Sequence, residues 1–208
     1  GKDFTAVTET EAEIALSRLV ARVSISSVKT AFDPVGRFKD ATFKVDAIYL
    51  KNADSSVNAD KTGSVPINGG HEGAVVTKYL YEAVTGHTAN TELTTPYYFY
   101  TFPNVDSSKP TKLIIKGLFD ADGSGSTSAP IARYYPITIN KKQANTTISG
   151  GAGTDKGSIA ANTRYVLTAV IKGEGAADDK TDIDPATLQL TVTVADWALT
   201  IRQDVTFE

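Results

Sequence analysis

Strict alternation of apolar and polar residues is the feature of this sequence that most constrains its fold. Two stretches show it clearly, residues 164–172 and residues 187–194. Their apolar residues on one face are Tyr165, Leu167, Ala169 and Ile171 in the first, and Leu188, Leu190, Val192 and Val194 in the second. Residues i and i+2 lie on the same side of a β-strand, so this period predicts strands with one buried face.

Six further stretches are predicted to be extended: residues 14–28, 38–50, 97–102, 112–119, 133–139 and 198–207. Pro136 lacks a backbone N–H, which predicts an edge position or a bulge for its strand. The polar segment 52–90 has enough apolar residues for a short helix or strand only at 74–84. Strands without alternating helices predict an all-β sandwich of about seven or eight strands.

The segment 38–50 carries a specific prediction about its two faces. One face is expected to hold Phe43, Val45, Ala47 and Tyr49, and the other Ile48 and Leu50.

Composition excludes several classes of protein. The 21 basic and 24 acidic residues give a net charge of −3, which does not favour nucleic acid as a partner. No apolar run reaches the roughly 20 residues of a membrane span. Cysteine is absent, so there are no disulfides and no thiol catalysis.

The motifs that could carry chemistry are weak. Asp120 to Gly125 resembles the start of a calcium loop, but position twelve is Ile131 rather than a carboxylate, so a solvated hairpin loop is the better interpretation. The acidic residues between 178 and 184 are likewise interpreted as a solvated loop. No set of residues supplies a nucleophile, a base and an oxyanion site together. We therefore predict no enzyme activity, no cofactor and no metal site.

Aromatic residues leave one binding hypothesis open. The run from Tyr97 to Tyr100, with Tyr134 and Tyr135, could form a platform for sugars. The more common role of alternating tyrosines is to pack on one side of a strand and cover the sheet on the other.

The last segment is amphipathic in a strand period. Leu199, Ile201, Val205 and Phe207 lie on one face, and the opposite face is wholly polar. Two interpretations stay open: the segment is the last strand of its own sandwich, or it is donated to the sheet of a neighbouring molecule by β-strand addition. In the second case these four residues and Trp197 are the candidate subunit-binding residues.

Several blocks of sequence together resemble the fimbrillins, the subunits of the Bacteroidales fimbriae known as type V pili. The blocks are residues 16–23, 43–52, 98–104, 113–117, 134–137 and 162–173, followed by 188–197 and the terminal strand. The similarity is greatest to the C-terminal domain of that family.

The resemblance implies a transthyretin-like, Greek-key β-sandwich in a structural, non-enzymatic subunit of a bacterial surface fimbria. It implies residues 1–13 as a lead-in from a preceding N-terminal domain, and residues 14–208 as the C-terminal domain. It also implies polymerisation through the donated C-terminal strand, with other fimbrial subunits as partners, at the cell surface on fimbriae attached to the outer membrane. Host proteins or glycans are further expected partners in adhesion. The alternative function is a surface module that binds carbohydrate or host protein through the aromatic strand and the 52–90 loop.

Overall fold

The computed structural model describes residues 18–57, 64–66, 80–125, 129–151 and 153–197. Its strands are β1 (Ala21–Thr30), β2 (Thr42–Lys51), β3 (Asp54–Val57), β4 (Ser64–Pro66), β5 (Tyr81–Ala83), β6 (Tyr97–Thr101), β7 (Lys112–Asp120), β8 (Ile131–Thr138), β9 (Thr146–Ser149), β10 (Thr163–Ile171) and β11 (Leu188–Asp196). The described residues contain no α-helix, and a short 3-10 helix at Pro185–Thr187 precedes β11.

Two sheets form the sandwich, which confirms the predicted all-β class. The five-stranded sheet has the order β6-β1-β10-β11-β9, and the four-stranded sheet has the order β5-β2-β7-β8. Strands β3 and β4 pair separately as a small two-stranded sheet. The seven predicted strands that fall within the described residues are all present, as β1, β2, β6, β7, β8, β10 and β11, and the short strands β3, β4, β5 and β9 are additional.

The central strands of the larger sheet follow their sequence pattern closely. In β10, buried and half-buried residues alternate along all nine positions. β10 pairs with β1 in parallel and with β11 antiparallel, so it lies in the middle of the sheet. The inward side chains of β10 and β11 form the predicted apolar face of the core.

Strand β2 differs from its predicted faces because it contains a bulge. The pairing with β7 shifts register between Val45 and Ala47. A bulge of one residue reverses the side on which all later side chains lie. Ile48 and Leu50 therefore join Phe43 and Val45 in the core cluster, whereas Ala47 and Tyr49 point to the other side.

Two other expectations are settled by the topology. Pro136 lies in β8, which is an edge strand as predicted. The segment 52–90 contains three short strands, β3, β4 and β5, and is therefore more structured than its composition predicted.

Candidate functional site

Only one of the five candidate subunit-binding residues lies within the described structure. Leu199, Ile201, Val205 and Phe207 lie outside the described residues, whereas Trp197 is the last described residue. Trp197 directly follows β11, and its main-chain N–H donates to the carbonyl oxygen of Asn162 at 2.7 Å. The described chain thus ends where β11 finishes pairing with the start of β10.

The indole of Trp197 is held by contacts with two other segments. It stacks on the ring of Tyr100 from β6, with ring centres 5.8 Å apart and planes 21° from parallel. The guanidinium of Arg18 lies 4.6 Å from the centre of the indole. Arg18 also donates from Nη1 to the main-chain oxygen of Trp197 at 2.7 Å. One arginine therefore contacts both the ring and the backbone of Trp197.

Asn162 joins the entry of β1 to the exit of β11. Its φ of 55° lies in the left-handed region, which asparagine tolerates better than most residues. The Asn162 N–H donates to Val20 at 3.0 Å, and its side-chain oxygen accepts from the Arg18 N–H at 3.4 Å. Arg18, just before β1, and Trp197, just after β11, are consequently held together at one corner of the larger sheet.

We call this surface the Trp197 corner, defined by Arg18, Arg22, Tyr98, Tyr100 and Trp197. The guanidinium of Arg22 lies 5.2 Å from the ring centre of Tyr98 and 5.7 Å from that of Trp197. Tyr98 and Tyr100 remain 47% and 54% exposed. Cations over aromatic faces are attracted by the ring quadrupole, so the two arginines and three rings stabilise one another.

A third arginine, Arg164, lies beside Arg22 on the outward face of the sheet. Arg22 of β1 is paired in register with Arg164 of β10. The Nε atoms of both residues are buried and have no hydrogen-bond partner among the described residues. Neither guanidinium forms an ion pair within the described part of the chain. The surface therefore carries two adjacent positive charges that no described acidic side chain pairs with.

The sequence did not predict this pair of arginines. Arg22 and Arg164 are far apart along the chain, and only the parallel pairing of β1 with β10 brings them together. The sequence did indicate that each arginine points outward, because each one directly precedes an inward residue of an alternating strand.

The Asp120 loop is closed by its own backbone. One carboxylate oxygen of Asp120 accepts from the N–H groups of Asp122 and Gly123, and the other accepts from Gly125 at 2.8 Å. Both carboxylate oxygens of Asp120 thus take part in forming the turn. This arrangement favours the interpretation of a structural hairpin loop.

In the acidic segment between β10 and β11, Asp178, Asp182 and Asp184 are exposed, as predicted for a solvated loop, whereas Asp179 is buried. Asp179 accepts from the ammonium group of Lys51 at 2.6 Å and from the hydroxyl of Tyr49 at 2.9 Å. Burial, reinforced by the neighbouring Asp179, raises the pKa of the Tyr49 hydroxyl above its usual value. These contacts attach the acidic segment to strand β2 of the smaller sheet.

The other acidic side chains of this segment are used in the same structural way. Asp178 accepts from two backbone N–H groups, Asp182 pairs with Lys112 at 2.7 Å, and Asp184 caps the 3-10 helix. An open cleft of about 340 Å³ lies beside them, lined by Lys51, Asn52, Lys112, Asp179 and Lys180. Within the described ranges, no group of three metal-ligating side chains is present.

No helix in the described part of the chain is long and apolar enough to cross a membrane.

Comparison with known proteins identifies related sequences and folds. Residues 38–197 match the family model described as "FimA-like major fimbrial subunit protein, C-terminal domain". A search of curated protein sequences finds no match.

Among solved structures, a fimbrilin, FimA, from Porphyromonas gingivalis is similar with a TM-score of 0.60 at 16% identity, over 89% of this chain and 60% of that one. A candidate cell adhesion protein from Bacteroides eggerthii has a TM-score of 0.56 at 21% identity, over 87% of this chain and 56% of that one. A candidate cell adhesion protein from Parabacteroides distasonis has a TM-score of 0.56 at 17% identity, over 88% of this chain and 60% of that one. At these identities the similarity establishes the fold, and this chain spans 60% or less of each of these structures.

Proposed function

Since this chain belongs to the family of FimA-like major fimbrial subunits, with its match in the C-terminal domain, we propose that it polymerises by donating its C-terminal strand to a neighbouring subunit. The donated residues are Leu199, Ile201, Val205 and Phe207, and Trp197 marks the point where the strand leaves its own domain. Fimbrial subunits form an appendage of the cell surface, and the proposal extends to attachment at the outer membrane and to a role in adhesion.

One observation carries the proposal. The segment 199–208, which starts two residues after Trp197, has four apolar residues on one face and only polar residues on the other. It follows the point where β11 has finished pairing with β10. An alternating segment of this kind suits a groove that takes every second side chain, while its main chain pairs with the edges of the groove.

The energy available from such an insertion is substantial. Complete burial of one large aliphatic or aromatic side chain contributes about 1.5–3 kcal/mol, so four of them contribute about 6–12 kcal/mol before the cost of ordering the strand. A head-to-tail contact of this type does not close on itself and therefore produces a filament. The partners are other fimbrial subunits, and no step requires a cofactor or a catalytic residue.

The proposal is tested by comparing the two faces of the strand. Ile201→Asp places a negative charge on the apolar face, whereas Thr200→Asp introduces the same charge on the polar face, one residue away. We expect Ile201→Asp to reduce filament formation by at least tenfold in light scattering and electron microscopy, and Thr200→Asp to reduce it by less than twofold. Equal effects of the two variants would contradict insertion of the apolar face.

A second function is favoured by a separate observation. Tyr98 and Tyr100 are about half exposed on an edge strand of the larger sheet, as a platform for carbohydrate or host protein requires. Under this alternative, removing residues 198–208 leaves glycan binding intact, whereas Tyr100→Ala abolishes it on a glycan array. The same truncation abolishes assembly under the first proposal, so the two functions are separable.

A further inference from the structure

We propose that the Trp197 corner is a docking surface for the rim of the neighbouring subunit's acceptor groove, and that this rim is acidic. The inference rests on the proposed donation of the terminal strand. It adds a second contact between subunits, made by the folded sandwich rather than by the strand.

The proposed donor strand begins within two residues of Trp197. Consecutive Cα atoms are 3.8 Å apart, so the Cα atom of Leu199 lies within about 7.6 Å of that of Trp197. A groove that encloses the Leu199 side chain must therefore approach the surface around Trp197 closely. The neighbouring domain cannot take the strand at a distance from this corner.

Trp197 is fixed to its own domain. Its backbone N–H bonds to Asn162, its carbonyl oxygen accepts from Arg18, and its ring stacks on Tyr100. Moving Trp197 outward to lengthen the free strand would break all three contacts. The strand therefore leaves from a defined point, beside the exposed rings of Tyr98 and Tyr100.

The surface that the rim would meet is positively charged. Arg22 and Arg164 face outward side by side, each with a buried Nε–H that lacks an acceptor among the described residues. Buried donors without acceptors are unfavourable, and two like charges in register repel each other. Asp196 is the acidic residue nearest in sequence to Trp197. In β11 it has the parity of the inward residues, so its side chain lies on the opposite face of the sheet from Arg22 and Arg164.

A carboxylate from the partner would offset the repulsion between the two guanidinium groups. Guanidinium groups bind carboxylates through paired, charge-assisted hydrogen bonds, and the exposed tyrosines beside them would supply apolar contact area. The rim that fits this corner is therefore one that presents Asp or Glu next to an apolar surface.

The experiment measures binding of this chain to a fimbrial subunit whose acceptor groove has been opened, by surface plasmon resonance at low and high NaCl concentrations. Arg22→Glu is the test variant. Lys172→Glu is the matched control, because it makes the same change of charge at an exposed position just after β10, at the far end of that strand. Arg164→Gln removes the second charge without adding a carboxylate, and it serves as the test if Arg22→Glu does not fold by circular dichroism.

We expect Arg22→Glu to weaken binding at least tenfold at low salt, and Lys172→Glu to change it less than twofold. Binding of the unmodified chain should weaken as salt rises, and this dependence should be smaller in Arg22→Glu and in Arg164→Gln, because the charge pairs are missing.

Three results would overturn the proposal, and they are distinguishable. If Arg22→Glu and Arg164→Gln bind like the unmodified chain while a chain lacking residues 198–208 does not bind, the corner is not an interface and strand donation stands. If the truncated chain binds fully, strand donation itself is wrong and the inference loses its basis. If Arg22→Glu loses capture of a carboxylated glycan but retains subunit binding, the corner serves a different ligand.

Discussion

Replacement of Trp197 by alanine is the perturbation that bears most directly on how the strand leaves the sandwich. The substitution removes the contacts of the indole with Arg18 at 4.6 Å and with Arg22 at 5.7 Å, and its stacking on Tyr100 at 5.8 Å. The backbone hydrogen bonds to Asn162 and Arg18 do not depend on the side chain and are retained.

The three lost contacts set the expected magnitude. Each cation over an exposed aromatic ring contributes about 0.5–1 kcal/mol, and an aromatic pair contributes about 0.5–1.5 kcal/mol beyond its buried area. With two cations and one aromatic pair, we expect Trp197→Ala to lower the free energy of unfolding by about 1.5–3.5 kcal/mol.

Urea unfolding followed by far-ultraviolet circular dichroism measures this change. Val35→Ala is the control, because Val35 is 88% exposed and its truncation should change stability by less than about 0.5 kcal/mol. A loss for Trp197→Ala that is no larger than the loss for Val35→Ala would refute the anchoring of Trp197. Because the chain has a single tryptophan, its fluorescence gives an independent reading: Arg18→Ala should shift the emission to longer wavelength as the indole becomes more exposed to water.

Lys51→Met should destabilise the fold by about 3 kcal/mol in urea unfolding, since it removes the cation from buried Asp179 while a tyrosine hydroxyl still donates to that carboxylate; an unchanged midpoint would contradict the ion pair. Gly117→Ala should cost about 1–3 kcal/mol or more, because an added Cβ would overlap a main-chain oxygen of β2, and a neutral result would show that the strands can separate there. The hydrogen bond from Lys112 lowers the pKa of Asp182, so its contribution to stability is present above the unfolded pKa near 4 and is lost as pH falls through the lower folded pKa. Asp182→Asn should accordingly show a weaker loss of stability between pH 4 and pH 2 in acid titration than the unmodified chain, and identical profiles would argue against that bond.

The strands with simple alternation were predictable from sequence, and those with local irregularities were not. The apolar parity holds along all of β10 and from Leu188 to Val194 in β11, so the core face followed directly from the residues. In β2, the bulge after Val45 reverses the faces, and a single sequence does not reveal it because both faces of that strand are apolar. Tyr49 lies on the face opposite to the core cluster, where its hydroxyl donates to Asp179. This contact joins distant segments, and alternation does not encode it.

The candidate site was predictable in part for a related reason. Trp197 and the terminal residues could be selected from their position and pattern alone. The clustering of Arg18, Arg22 and Tyr100 around Trp197 could not, because it depends on strand order in the larger sheet. Local patterns determine which residues face outward, whereas the topology determines which of them meet.

The most direct test of donation is filament formation by a chain from which residues 198–208 have been removed. The deletion leaves β11 and Trp197 in place, so circular dichroism should show a folded sandwich. We predict that this shortened chain forms no filaments in electron microscopy when it is mixed with full-length fimbrial subunits, while the intact chain does. Filaments of the shortened chain, equal in number and length to those of the intact chain, would contradict the account.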